Sequence, residues 1–297
     1  MTLTPPPHRL IDAHHHLWDL TARDQDWIVG HRLAPLRRDF LIDEYDTIAR
    51  AAGVTASIVV QTVTQAEETP ELLALAARDN LVAGVVGWID LTEPAVADEL
   101  QRLKGLPGGD RLVGIRHQVQ SEPDPHWLNR PDASHGLKAV ASAGLVYDLV
   151  ITPDQLTAAI AAAHAQPDLV FVLDHLGKPP ITTGALEPWQ RDLRRLAALP
   201  NTACKLSGMV TEADWKHWKP DQLRPYADAV LDCFGPDRVM FGSDWPVCTL
   251  AADYATVHAT STELAAHLSA SERSAVFAET AARIYLGNCQ QETPEAS

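Results

Sequence analysis

Eight short runs rich in β-branched and other apolar residues recur along the chain, and helical patterns fill most of the intervals between them. The runs are LIDAHHHLW (10–18), ASIVVQTV (56–63), LVAGVVGWIDL (81–91), LVGIRHQVQ (112–120), LVYDLVI (145–151), LVFVLDHLG (169–177), TACKLSG (202–208) and RVMFGSDWPV (238–247). Ala- and Leu-rich stretches at 42–53, 69–80, 92–105, 152–166, 185–199 and 269–287 read as helices. Thr69 is placed as an N-cap ahead of Pro70, and Gly53 as the residue after a helix C-terminus. Such alternation predicts βαβ units and a parallel sheet. Eight units in 297 residues predict one α/β domain, a single (β/α)8 TIM barrel over 8–289, with its active site at the C-terminal ends of the strands. Residues 1–7 and 290–297 read as disordered ends. A doubly wound sheet would need a glycine-rich phosphate turn after the first strand. Here that strand runs into a long segment rich in Trp, Arg and His.

Charge narrows the partners. With 24 basic and 39 acidic residues the formal net charge is −15, which argues against nucleic acid and anionic membranes. A small-molecule substrate responds only to local charge and fits. The four cysteines, at 204, 233, 248 and 289, form no C-x-x-C pair and read as reduced thiols. The sequence presents no secretory h-region and no transmembrane window, so a cytoplasmic protein is expected.

Polar residues gather at the strand ends. The first run ends in His14, His15 and His16, the fourth in Arg116, His117 and Gln118, the fifth in Tyr147 and Asp148. The sixth ends in Asp174 and His175, and the eighth in Ser243, Asp244 and Trp245. Burying polar groups costs free energy unless they are paired, so the clustering points to a site. Strand alternation places Asp12, His14 and His16 on one face and His15 on the other, toward the helices. An H-x-H pair at a strand end can present two imidazoles to one ion or one substrate, or can simply hydrogen-bond loops.

Three segments, IDAHHHLWD, FVLDHLGKP and VMFGSDWPV, resemble the amidohydrolase superfamily. More narrowly they are similar to its lactonase-type branch, which includes sugar-acid lactonases such as L-fuconolactonase and L-rhamnonolactonase, and 2-pyrone-4,6-dicarboxylate lactonase. The resemblance spans nearly the whole chain. It implies His14, His16, His175 and Asp244 as catalytic residues, and the same four as ligands of one divalent metal, zinc by preference; a metal-free site is the other arrangement found in this branch. Strand 4 lacks a bridging lysine and strand 5 lacks a histidine, so a two-metal site is not expected. The implied activity is hydrolytic opening of a lactone ester, with Asp244 as general base and the histidines stabilising the oxyanion. Arg116, His117, Trp18, Trp27, Tyr147, Lys178 and Trp245 are the expected substrate contacts. Arg116 has a rival role as an ion-pair partner of Asp148 or Asp174. A metal-dependent decarboxylase on the same scaffold is the alternative chemistry, and a catalytically silent binding protein the non-enzymatic one.

Overall fold

The computed structural model describes residues 10–287. The expected disordered ends, the domain limits at 8 and 289, and Cys289 lie outside the described residues. Eight strands follow in order: β1 (Leu10–His15), β2 (Val54–Val60), β3 (Val82–Gly87), β4 (Leu112–His117), β5 (Val146–Leu149), β6 (Phe171–Leu173), β7 (Thr202–Leu206) and β8 (Val239–Phe241). Each pairs in parallel with the next. The chain just beyond β8 closes the ring onto β1, through a parallel bridge between His15 and Trp245 and backbone bonds Asp244 N–His14 O (2.8 Å) and His16 N–Trp245 O (2.7 Å). This is the expected (β/α)8 barrel. Every predicted strand is present, and most stop short of their predicted C-terminal limits because the polar residues there leave the ladder for loops.

The helical intervals hold, with one correction. Gly53 follows the helix Ile42–Ala51 with φ +90°, where glycine is favoured over other residues. Thr69 is not an N-cap. It lies inside the helix Glu68–Ala76, and its hydroxyl donates to Trp88 O and accepts from Trp88 N, both at 2.8 Å. Three further helices, Pro131–Ser142, Pro220–Phe234 and Tyr254–Leu264, occupy intervals for which no helix was expected.

The barrel interior is layered. Ile11, Ala13, Ile58, Val60, Val86, Val113, Val146, Val172, Ala203 and Met240 form an apolar floor, closed from below by Ala278, Ala281 and Tyr285 of the C-terminal helical segment. Burying a Val or Met side chain contributes about 1.5–3 kcal/mol, so this layer anchors the strands beneath the site. Two residues further along β5, β6 and β7, the same inward direction brings Asp148, Asp174 and Lys205, all wholly buried.

Candidate active site

A β-bulge shapes the first strand. Asp12 is in register with Ser57 and His15 with Val59, so β1 has one residue more than β2 in that interval. The bulge overturns the expectation that Asp12 shares a face with His14 and His16. Asp12 instead points outward with His15. Its carboxylate accepts from Tyr45 (2.9 Å) and Tyr254 (3.0 Å) hydroxyls and from the Ser243 backbone N–H (2.8 Å). It thereby ties β1 to the loop that carries Asp244. His15 stacks on Tyr45, ring centroids 3.7 Å apart, as its outward direction requires. His14 and His16 turn inward.

The other arms arrive on tight loops. After β6 the backbone turns through left-handed conformations at His175 (φ 54°), Leu176, Gly177 and Lys178, which swings the His175 ring over the barrel mouth. Asp244 also has positive φ (57°). Non-glycine residues pay a steric cost there, and such strain gathers at functional sites. Gly242 makes room for the cluster, because a Cβ at that position would lie 2.7 Å from His14 Cβ.

Asp244 Oδ1 lies 3.8 Å from His14 Nε2, 3.6 Å from His16 Nε2 and 3.8 Å from His175 Nε2, and the first two nitrogens are 3.1 Å apart. Ligands about 2.0–2.1 Å from a tetrahedral ion stand about 3.3 Å from one another. His14, His16 and Asp244 at this spacing fit one divalent ion, and His175 Nε2 faces the same carboxylate oxygen. The His16 and His175 rings are fixed from behind, by Val60 O (2.8 Å) and Ser207 Oγ (2.9 Å) at their Nδ1 atoms. A second grouping, His14, Asp174 and His175, shares His14 and uses a carboxylate already committed to Arg116 and Lys205.

Charges below the cluster are paired. Lys205 Nζ donates to Asp148 Oδ2 (2.5 Å) and lies 3.0 Å from Asp174 Oδ1. Arg116 donates from Nη1 to Asp174 Oδ2 (3.0 Å) and from Nη2 to Gln61 O (2.5 Å). Tyr285 donates to Asp148 Oδ1 at 2.7 Å. Burial opposes ionisation of Asp174, yet Lys205, His14 and Arg116 hold its carboxyl well below the ordinary range. Burial lifts Asp148 to about 6 against the pull of Lys205. Burial also drives His14 well below the ordinary imidazole range and His175 down to about 4, so both rings are neutral at pH 7. Asp244 is disfavoured by burial, but His175 and His16 hold it below the usual carboxylate range. It is a carboxylate facing the neutral rings of His14 and His175.

A cavity of about 450 Å³ opens above. His16, His175, Asp244, Arg116, His117, Trp27 and Lys178 line it, all of them expected from the sequence; His14 lies just beneath. Lys178 Nζ is 3.9 Å from Glu212 Oε1. His117 stacks on Trp127 with ring centroids 4.2 Å apart, accepts from Trp88 Nε1 (3.0 Å) and donates to Glu122 Oε1 (2.7 Å). Trp18, Tyr147 and Trp245 do not reach the cavity. Trp18 packs on Trp27 and Phe40 and donates to Arg38 O. Trp245 packs on Phe40 and Tyr45. Tyr147 points outward from β5 against Phe171, since alternation gives the interior to Asp148. Sequence reasoning missed Lys205, although a lysine inside the apolar run TACKLSG is itself a signal. Beside Gln118, it also missed the polar rim of Thr62, Gln120, Glu122 and Glu212, which loops after several strands assemble.

Imidazoles and a carboxylate converge at the C-terminal mouth of the parallel barrel, the face on which such barrels carry their active sites. The chain belongs to the amidohydrolase family, whose pattern it matches over residues 11–286. It is 41% identical over 286 residues, covering 93% of this chain and 95% of the relative, to an L-fucono-1,5-lactonase from Burkholderia multivorans. An L-fucono-1,5-lactonase from Burkholderia ambifaria is 39% identical over 246 residues, covering 82% of each chain. A crystal structure of an amidohydrolase from Burkholderia multivorans with bound zinc superposes with a TM-score of 0.89 at 40% identity, covering 94% of this chain and 99% of that one. Among the described residues no helix is long and apolar enough to cross a membrane.

Proposed function

We propose that the protein is a lactonase that opens the ester ring of a neutral sugar-acid lactone, of the L-fucono-1,5-lactone kind, to the hydroxy acid. The observation that carries this reading is Asp244. Its carboxylate sits at the floor of the cavity with Oδ1 within 3.8 Å of three imidazole Nε2 atoms. Similarity to two L-fucono-1,5-lactonases supports the substrate class. So does the rim. Thr62, Gln118, Gln120, Glu122 and Glu212 offer hydrogen-bonding groups for sugar hydroxyls, and Arg116 and Lys178 are the lining lysine and arginine side chains. Asp26, Glu122, Glu212 and Asp244 also line the cavity, an acidic excess that suits a neutral ring better than a dicarboxylate.

In this mechanism Asp244 accepts a proton from water as the water oxygen attacks the ester carbonyl carbon. Arg116, held by Asp174 and Gln61 with its Nη1 3.5 Å from His14 Nε2, orients the ester and stabilises the developing oxyanion. The intermediate collapses, the ring C–O bond breaks, and protonated Asp244 returns its proton to the leaving alkoxide. The product carboxylic acid then ionises. A divalent metal held by His14, His16, His175 and Asp244 would supply Lewis acidity at the reacting carbonyl. His117 and Trp27 shape the wall against which the sugar ring packs.

The test is acid release from a panel of L- and D-sugar 1,4- and 1,5-lactones and 2-pyrone-4,6-dicarboxylate, read with a pH indicator above the spontaneous rate, with and without chelator. Turnover of L-sugar 1,5-lactones is expected. Turnover of the dicarboxylate in preference to every sugar lactone would refute the substrate class.

A further inference from the structure

The segment after β4 lines the cavity with Gln118, Gln120 and Glu122, and groups that only donate or only accept fix the direction of its hydrogen bonds. Trp88 Nε1 stands 3.0 Å from His117 Nδ1. An indole nitrogen only donates, so His117 Nδ1 accepts and the ring carries its proton on Nε2. A protonated ring would set two N–H groups against each other, and burial holds His117 below the ordinary imidazole range against the pull of Glu122. His117 Nε2 therefore donates to Glu122 Oε1 at 2.7 Å, while Trp127 stacks on the ring and fixes its plane. Glu122 is held by a neutral donor that leaves its charge in place. Among the described residues no protein group donates to its Oε2.

The neighbouring amides present acceptors too. Arg116 Nη2 donates to Gln61 Oε1 (3.2 Å) and Gln61 Nε2 donates to Arg116 O (3.0 Å), so the Gln61 amide has one orientation. Gln118 then turns its nitrogen to Gln61 Oε1 and Thr62 O, both at 3.2 Å, which uses both of its N–H groups. Its oxygen accepts from Gln120 Nε2 at 3.3 Å and keeps a second lone pair. We infer that Glu122 is a specificity-determining residue: its free Oε2 accepts the O–H of one ring hydroxyl of the lactone, and the enzyme selects lactones that carry a hydroxyl there over those that lack it. His117 is the positioning residue that holds the carboxylate. A substrate without that hydroxyl leaves a charged oxygen unpaired against it, and bonds to charged groups are the costlier ones to lose. The inference rests on the lactonase reading and deepens it, by naming the group that reads the sugar.

The test is a cycle of kcat/KM values for the unaltered chain and Glu122→Gln. The substrates are the sugar lactone turned over best and its analogues with each ring hydroxyl in turn replaced by hydrogen. Glutamine keeps the shape and still accepts from His117 through Oε1, but sets an NH2 group where the carboxylate presents Oε2. The unaltered chain should lose about tenfold or more on one analogue. Glu122→Gln should lose about tenfold or more on the parent lactone and should no longer distinguish the parent from that analogue. Glu122→Ala, read in the same cycle, should lose the same discrimination and decides the question if the glutamine variant does not fold. A carboxylate that only braced its loop would lower turnover of every lactone by one common factor, and that result overturns the inference. So does an unaltered chain that hydrolyses every analogue within about threefold of the parent. Both failures leave lactone turnover intact. An unaltered chain that opens no sugar lactone overturns the lactonase reading itself, and this inference with it.

Discussion

Gly208→Ala isolates the placement of His175 from everything else about the site. Gly208 follows β7 with φ +65°, and an added Cβ would lie 2.6 Å from His175 Nδ1, 2.7 Å from its Cγ and 2.8 Å from its Cβ. Restoring ordinary contact forces the ring back by roughly 0.7 Å. The retreat stretches the 2.9 Å bond from Nδ1 to Ser207 Oγ and shifts Nε2 relative to Asp244. Misplacement approaching 1 Å costs on the order of 10²-fold in rate. Alanine in a left-handed conformation costs about 1–2 kcal/mol of stability in addition. Gly184→Ala is the control: its φ and ψ of +72° and 7° are close to the +65° and 2° of Gly208, nothing lies within 4 Å of the added carbon, and it does not line the cavity. Both variants should lose stability in urea titration by similar amounts. Only Gly208→Ala should lose kcat/KM on the preferred lactone. Activity in Gly208→Ala within about threefold of the control would refute the claim that His175 must stand where it does.

Arg116→Lys keeps one charge but cannot make both the Asp174 and the Gln61 contacts, so kcat/KM should fall about tenfold or more and the urea midpoint should fall with it. An unchanged midpoint would show that the guanidinium is not held as described. The pH dependence of stability has a definite sign. Burial holds His175 at about 4 against an ordinary 6.5, and depresses His14 too, so their contribution is full above pH 6.5 and is lost as pH falls through 4. Asp174, though burial opposes its ionisation, is depressed by Lys205 and His14, and its contribution is likewise lost on acidification. Asp148 opposes them: raised by burial from 3.8 to about 6, its contribution is full below 3.8 and lost as pH rises through 6. Asp174 keeps its contribution until the pH is lower still, and in the window the two histidines outweigh Asp148, so urea midpoints of the chelator-treated protein should fall between pH 6.5 and 4.5. Midpoints that stay level or rise would contradict the burial argument.

The barrel was readable because alternation of β-rich and Ala/Leu-rich segments is a one-dimensional signal, and because polar residues break each strand at the end that opens to solvent. His14, His16, His175 and Asp244 stood out for the same reason. What escaped were features that no single strand records. The bulge in β1 turned Asp12 from the face of His14 to the face of His15, since one extra residue inverts the alternation. Tyr147 was chosen where the inward residue is Asp148, one position later. Lys205 is intelligible only beside carboxylates from β5 and β6, partners separated from it by 57 and 31 positions of sequence. Trp18 and Trp245, expected as substrate contacts, both pack against Phe40.

The central claim is that Asp244 takes the proton from the attacking water. The most direct measurement is the steady-state rate of L-fucono-1,5-lactone hydrolysis by Asp244→Asn against the unaltered enzyme, above the spontaneous rate, with folding checked by circular dichroism. Asparagine keeps the shape and cannot accept the proton, so a loss of at least about 10²-fold in kcat with the fold intact is predicted. A folded variant that keeps more than about a tenth of the turnover would make Asp244 a bystander.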